Sequence, residues 1–123
     1  KAGQPLFRVR QNHRSVQFYA PVGGRVVKIN RTLGEDLESL EMTPYHKNWV
    51  CVIEGDNLDV EVPTLKIGRS AVALFQGDIE RFRAAIKDIV KGGALLDEAL
   101  SIGELQQLDD AQWDKIVKEF FRP

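Results

Sequence analysis

The stretch VRQNHRSVQFYAPVGGRVVKIN, residues 9–30, has the layout of two β-strands that meet at a polar tip, followed by a turn and a third strand. The tip reads Gln-Asn-His-Arg-Ser, residues 11–15. Gly23 and Gly24 follow Pro21 and indicate a tight turn before the third strand. The stretch therefore predicts a β-hairpin that leads directly into a further strand.

The pattern on both sides of this stretch is also that of strands. Upstream, Phe7 and Val9 alternate with Arg8 and Arg10, which predicts an inner apolar face and an outer basic face. Downstream, residues 31–48 lack a strong period, and the apolar run 49–54 predicts another strand that ends at a Gly-Asp-Asn turn. Residues 5–63 are thus expected to form β-structure.

After Pro63 the apolar period becomes that of an α-helix. Apolar residues spaced by three and four positions predict a helix over 69–91; they are Val72, Phe75, Ile79, Phe82, Ile86 and Ile89. Gly77-Asp78 leaves open a division into two helices, and Gly92-Gly93 would end the second. Capping-box patterns at Ser101/Glu104 and Asp109/Gln112 predict the starts of further helices. We expect a β module over 1–63 and a helical extension over 64–123.

Composition is that of a globular chain without a membrane segment. The 123 residues are 43% hydrophobic and 28% charged, and no apolar run approaches the roughly 20 residues of a membrane span. The single cysteine, Cys51, lies in a predicted strand and favours a reducing compartment, so a cytoplasmic location is expected. His13 and His46 lack ligand spacing, and no catalytic motif occurs. The sequence therefore predicts no catalytic residue and no metal site.

Charge is distributed unevenly along the chain. Residues 1–34 contain seven basic side chains and no acidic one, so all 18 acidic residues follow Gly34. One interpretation is a docking face for an acidic partner or for phosphates. The other is that solvent-facing strand residues are basic because such charges protect a sheet edge from aggregation. A nucleic acid is disfavoured as partner, because few aromatic residues lie among these charges and the pI is 6.2.

Two ordered segments resemble a known family. Residues 19–30, YAPVGGRVVKIN, and 44–49, PYHKNW, are similar to the turn, the Val-rich strand and the Pro-Tyr segment of the H-protein of the glycine cleavage system. The motif residues are Pro21, Gly23, Gly24, Asn30, Pro44, Tyr45 and Trp49. This resemblance covers residues 7–58 and implies the barrel-sandwich hybrid fold of lipoyl and biotinyl domains. The helical tail resembles that of bacterial H-protein-like proteins.

The hairpin tip departs from the family pattern at the position of the residue that carries the cofactor. The resemblance implies a lipoyl-bearing lysine at the hairpin tip, and counting back from Pro21 places His13 at that position. No lysine occurs between residues 2 and 27. Lipoate attachment forms an amide with a primary amine, which neither an imidazole nor a guanidinium supplies. The resemblance therefore implies a relative that carries no lipoyl cofactor.

A second departure concerns the strands that precede the hairpin. H-proteins have further β-structure there, so we expect a barrel-sandwich that is incomplete at its N-terminal side. Either the chain is a piece of a longer protein, or strands of a second copy complete the sheets by exchange. The remaining alternative is that the helices after residue 63 cover the open face.

These features support two functions. The first is a non-catalytic, non-lipoylated H-protein-like interaction or scaffold module, whose contact residues are Arg8, Arg10, His13 and Arg14. Its partner would be another protein or a second copy of the chain. The second is a component of a lipoyl-dependent or one-carbon enzyme system whose carrier lysine lies elsewhere.

Overall fold

The computed structural model of the chain describes residues 1–35, 45–89 and 105–122. It contains four strands: β1 (Pro5–Gln11), β2 (Arg14–Tyr19), β3 (Gly24–Ile29) and β4 (Cys51–Gly55). The α-helices whose bounds fall within the described residues are α1 (Leu58–Glu61), α2 (Gly68–Ile89) and α3 (Asp110–Phe120), and short 3-10 helices occur at Arg31–Gly34 and Val62–Thr64. The predicted fold class, a β-rich part followed by helices as in a lipoyl-like domain, is confirmed in this order of elements.

The strands form two antiparallel pairs, β1 with β2 and β3 with β4. Contacts divide the chain into two compact units. The first comprises residues 1–3 and 20–64, and the second comprises 4–19 and 65–123. The β1–β2 hairpin therefore belongs to the same unit as α2 and α3. The domain boundary after residue 63 stays a prediction.

The first unit is built on the β3–β4 pair and the glycine turn before it. Val26 lies opposite Ile53, and Ile29 lies opposite Cys51, with an irregularity between Val26 and Lys28. The N–H of Gly23 donates to the carboxylate of Glu61 at 2.8 Å, which ties the turn to α1. Four apolar side chains of this sheet are 43–65% exposed: Val26, Val27, Ile29 and Val52.

Helix α1 corrects the expectation of β-structure up to residue 63. The alternation of Leu58, Val60 and Val62 resembles a strand, but local bonds close a helical turn there. The N–H groups of Val60 and Glu61 both donate to the carbonyl of Asn57, at 3.2 and 3.1 Å. The helix also packs closely, since the side chain of Leu58 occupies the space in which a Cβ of Gly55 would lie.

Of the remaining family-motif residues in this unit, Asn30 and Trp49 make contacts between β3 and the segment before β4. The Asn30 side-chain amide donates to the carbonyl of Lys47 at 2.9 Å, and its backbone N–H donates to Val50 at 3.0 Å. Lys28 lies over the ring of Trp49 at 5.4 Å. Tyr45 is 97% exposed, Pro21 is exposed, and Pro44 lies outside the described residues.

The second unit has its core between α2 and α3. The predicted helix is present, and it runs without a break through Gly77 and Asp78, so Asp78 begins no new helix and pairs with Arg81 at 3.0 Å instead. The buried side chains are Ile86, Leu108 and Ile116. The C-terminal part of the predicted apolar stripe faces this core, whereas Val72 and Phe75 are 56% and 65% exposed.

The start of α3 confirms the predicted capping box. The Asp109 carboxylate accepts the N–H of Gln112 at 2.8 Å, and the Gln112 side chain accepts the N–H of Asp109 at 3.0 Å. The other predicted capping box, Ser101/Glu104, and the Gly92-Gly93 helix end lie outside the described residues. None of the helices that the structure describes is long and apolar enough to span a membrane.

Candidate functional site

The hairpin tip is a two-residue turn. Gln11 pairs with Arg14, so Asn12 and His13 form the loop. Asn12 has a φ of 55°, which asparagine tolerates better than most residues, and two-residue hairpin turns require a positive φ at one or both positions. His13, the residue at the expected lipoyl-lysine position, therefore projects at the end of the hairpin, and its side chain is 69% exposed.

His13 is paired with the first residue of α3. Its Nε2 lies 2.7 Å from the Oδ1 of Asp110, whose own side chain is 68% exposed. This hydrogen bond is the main reason why the pKa of the Asp110 carboxyl lies below its usual value. The charges of His13 and Arg14 act in the same direction, and desolvation opposes them.

Arg14 is the residue that holds the tip against α3. Its Nε lies 3.3 Å from the Oδ1 of Asp110, and its terminal nitrogen donates to the carbonyl of Leu108. The guanidinium also lies over the ring of Trp113, 5.1 Å from its centroid. Only 20% of the side chain is exposed. Such a set of charge-assisted and cation–π contacts fixes a side chain in one position.

Arg8 and Arg10 lie on the other side of the hairpin. Successive strand residues face opposite sides of a sheet, and the register places Arg8 opposite Gln17 and Arg10 opposite Ser15. Arg8 donates to the side chain of Gln17 at 3.2 Å, and Arg10 is exposed. The structure thus brings these two arginines together, and it brings His13 and Arg14 together with Asp110.

The helix-facing side of the hairpin is aromatic. Phe7 and Phe18 are stacked with centroids 4.7 Å apart, and Phe121 meets Phe18 edge-on at 5.7 Å. Arg14 shares this side with Phe18, because both occupy even-numbered positions of β2. Val9, predicted to face inward, lies on the same side but is 53% exposed.

Two residues of this site were not predicted as site residues. Asp110 and Trp113 are nearly a hundred positions away from the tip that they contact, and no local pattern links them to it. The capping box at Asp109 was the available signal, since it places a carboxylate in the first turn of α3. Together with the tip they line an open cavity of about 260 Å³; its lining residues are His13, Arg14, Ser15, Asp110, Trp113 and Asp114. In the described part of the chain, no group of three or more His, Cys, Asp or Glu side chains could hold a metal ion.

Arg14→Ala is expected to lower the free energy of unfolding by about 1–3 kcal/mol, because it leaves the Leu108 carbonyl without this donor and removes the contact with Trp113. Thermal unfolding followed by circular dichroism measures the change. Arg10→Ala is the matched control on the exposed side and should stay within about 0.5 kcal/mol of the unchanged protein. Equal losses in both variants would contradict the described role of Arg14.

The chain is similar to glycine cleavage H-proteins. The family model for the glycine cleavage H-protein matches residues 1–76. The glycine cleavage system H protein of Geobacillus thermodenitrificans is 32% identical over 73 residues, 59% of this chain and 57% of that protein. The probable glycine cleavage system H protein of Thermococcus gammatolerans is 39% identical over 63 residues, 51% of this chain and 46% of that protein.

These similarities cover part of each protein. The chain spans about half the length of the curated relatives it matches, and no solved structure matches it. The matched residues include the hairpin, both strand pairs and the first part of α2. Helix α3, which supplies Asp110 and Trp113 to the tip, lies outside the family match.

Proposed function

The chain belongs to the glycine cleavage H-protein family, and from this premise we propose that it is a non-lipoylated, non-catalytic module that binds a protein partner. The observation that carries the proposal is His13 at the tip of the β1–β2 hairpin. An imidazole cannot form the amide through which lipoate is attached. The chain would therefore still act with a glycine cleavage-like system, but by binding a protein and not by carrying a lipoyl group.

Arg8 and Arg10 are the proposed charge contacts to the partner. Both lie on the exposed side of the hairpin, and a guanidinium binds a carboxylate with two parallel hydrogen bonds. His13, at the tip, is a further proposed contact. Arg14 has the supporting part, because its contacts with Asp110 and Trp113 keep the hairpin in place on α3.

We expect the intact mass of the chain to be that of the unmodified sequence after co-expression with lipoate and its ligase. His13→Lys supplies the missing amine and serves as the comparison under the same conditions. A lipoyl group on the native chain would refute the proposal and favour the alternative function, a lipoyl- or one-carbon-linked component with its carrier lysine elsewhere. Peptide mapping would then identify the lysine, with Lys28 and Lys47 as the first positions to inspect.

Capture of proteins from a native extract tests the binding half of the proposal. Arg8→Ala combined with Arg10→Ala should reduce the recovery of the bound protein. Arg31→Ala combined with Arg69→Ala removes the same charge from exposed positions elsewhere and should leave recovery unchanged. Equal recovery with both double variants would exclude the hairpin as the contact surface.

We also propose that the chain associates with a second copy, as a homodimer or by strand exchange. An isolated two-stranded sheet is marginally stable. Burial of the exposed apolar side chains of β3 and β4 against a second copy would stabilise this sheet. Sedimentation at micromolar concentration is expected to reveal a species larger than 13.9 kDa. A single compact species of 13.9 kDa would contradict self-association.

A further inference from the structure

The outer edge of β1 is an exposed strand edge. Among the described residues β1 pairs with β2 alone, so its second edge has no strand beside it. The last four residues of β1 are all exposed, whereas Ser15 is the one exposed residue of β2. Both outer edges of the hairpin are therefore unpaired within the described residues, and the β1 edge is the one along which consecutive residues, Arg8–Gln11, are exposed.

The backbone groups on this edge belong to the two arginines. In a two-residue turn the closing pair, here Gln11 and Arg14, is hydrogen-bonded, and bonded and non-bonded pairs alternate along an antiparallel hairpin. Val9 is therefore bonded to its partner Val16. The N–H and C=O groups of Arg8 and Arg10 point away from β2, toward the open edge.

Arg8 and Arg10, whose backbone groups face the open edge, also carry the guanidinium groups beside that edge. Arg8 and Arg10 lie on one face of the hairpin, two positions apart, which is about 6.7 Å along a strand. An added strand would thus be bonded through the backbone of Arg8 and Arg10, and its residues directly opposite would meet their side chains. Opposite charges at such cross-strand positions are stabilising, and like charges are destabilising.

We propose that the β1 edge accepts, as an added β-strand, an extended segment of the partner protein that carries carboxylate side chains at positions i and i+2. This inference rests on the proposed function and specifies the chemistry of the partner. A nucleic acid offers phosphates but no peptide groups to pair with the strand. Strand β3 of a second copy is a poor occupant, because it would place Arg25 and Lys28 opposite the two arginines and like charges repel.

A synthetic peptide of about seven residues, the length of an ordinary strand, provides the probe. Its sequence alternates Glu with Thr and Val, and it carries a fluorescent label for anisotropy measurements with the full chain. A second peptide has Lys in place of each Glu. We expect the Glu peptide to bind and the Lys peptide not to bind; equal binding of both peptides, or no binding of the Glu peptide, would overturn the inference.

Amide hydrogen exchange locates the bound peptide. In the free chain the amides of Arg8 and Arg10 should exchange rapidly, while that of Val9 should be protected by its bond to Val16. Addition of the Glu peptide should slow the exchange of the Arg8 and Arg10 amides. Binding that leaves these two amides unprotected would overturn the proposed strand addition.

Two variants separate charge from backbone pairing. Arg8→Gln combined with Arg10→Gln keeps both N–H groups and should weaken binding roughly tenfold, the effect expected for two cross-strand ion pairs. Arg10→Pro removes an outward N–H and should abolish binding, while protection of the Val9 amide verifies that the hairpin is intact. Arg31→Gln is the control for charge loss elsewhere and should leave the affinity unchanged.

Failure of the strand-addition inference and failure of the proposed function give different experimental results. If the chain captures a protein through the hairpin but does not bind the Glu peptide, the inference about strand addition is wrong and the proposed function stands. Detection of a lipoyl group would refute the proposed function by intact mass, a measurement that does not depend on the peptide.

Discussion

Ile86→Ala is expected to lower the free energy of unfolding of the unit that contains α2 and α3 by about 2–5 kcal/mol. Ile86 is 2% exposed and packs with Leu108 and Ile116, each 3% exposed. Truncation removes apolar contacts and leaves a cavity that neighbouring side chains fill only in part. Urea unfolding followed by helical circular dichroism measures the loss.

Ile79→Ala is the matched control, because it makes the same change two turns earlier on the same stripe of α2. Its side chain is 49% exposed, so we expect a loss of less than about 1 kcal/mol. A loss as large as that of Ile86→Ala would contradict the exposure of this half of the helix. It would mean that a second copy covers the stripe under the conditions of measurement.

Gly24→Ala is expected to disrupt the β3–β4 pair, at a cost of about 3 kcal/mol or more. Gly24 has a φ of 149°, and an added Cβ would lie 2.2 Å from the carbonyl oxygen of Glu54. The obstacle is backbone, which cannot move aside as a flexible side chain could. Fluorescence of Trp49 during unfolding, in a Trp113→Phe background, follows this unit separately.

Gly77→Ala provides the control for the glycine substitution. Gly77 lies inside α2, and apart from the adjoining helix backbone nothing lies within 4 Å of the position of an added Cβ. Alanine is the better helix former, so this variant should gain about 0.5–1 kcal/mol. Opposite signs in the two variants are the expected result, and a neutral Gly24→Ala would contradict the close approach at the glycine turn.

The contact between the hairpin tip and α3 changes how the family resemblance applies to function. In the resemblance, the tip is the place of a lipoyl-bearing lysine. Here the tip carries His13, and Arg14 beside it is held by Leu108, Asp110 and Trp113. All three partners of Arg14 lie outside the family-matched residues 1–76. Arg8 and Arg10, on the other side of the hairpin, are exposed.

Local patterns in the sequence were sufficient for most of the elements. The alternation around residues 5–19 predicted the hairpin, the three-and-four spacing predicted α2, and the Asp109/Gln112 pair predicted the start of α3. Each of these patterns reflects interactions between residues close in the chain, so the residues alone carry the information. Family membership was also predictable, because the glycine turn and the Pro-Tyr segment are local motifs.

Short ambiguous segments were less predictable. Residues 58–62 alternate like a strand but form a helical turn, because bonds to the carbonyl of Asn57 and the space left by Gly55 favour it. Gly77-Asp78 resembles a helix break, but the flanking apolar residues continue the same face and the helix continues. In the first case hydrogen bonds three and four positions along the chain outweigh the side-chain alternation, and in the second the apolar spacing outweighs the Gly-Asp pair.

Only the tertiary structure decided which basic residues act together. The sequence grouped Arg8, Arg10 and Arg14, whereas hairpin register and side-chain alternation place Arg14 on the side that packs against α3. Its partners lie 94 or more positions further along the chain. Contacts over such separations arise from the packing of one element on another, which no local pattern encodes. The same packing assigns the first two arginines to the exposed face and the third to the support of the tip.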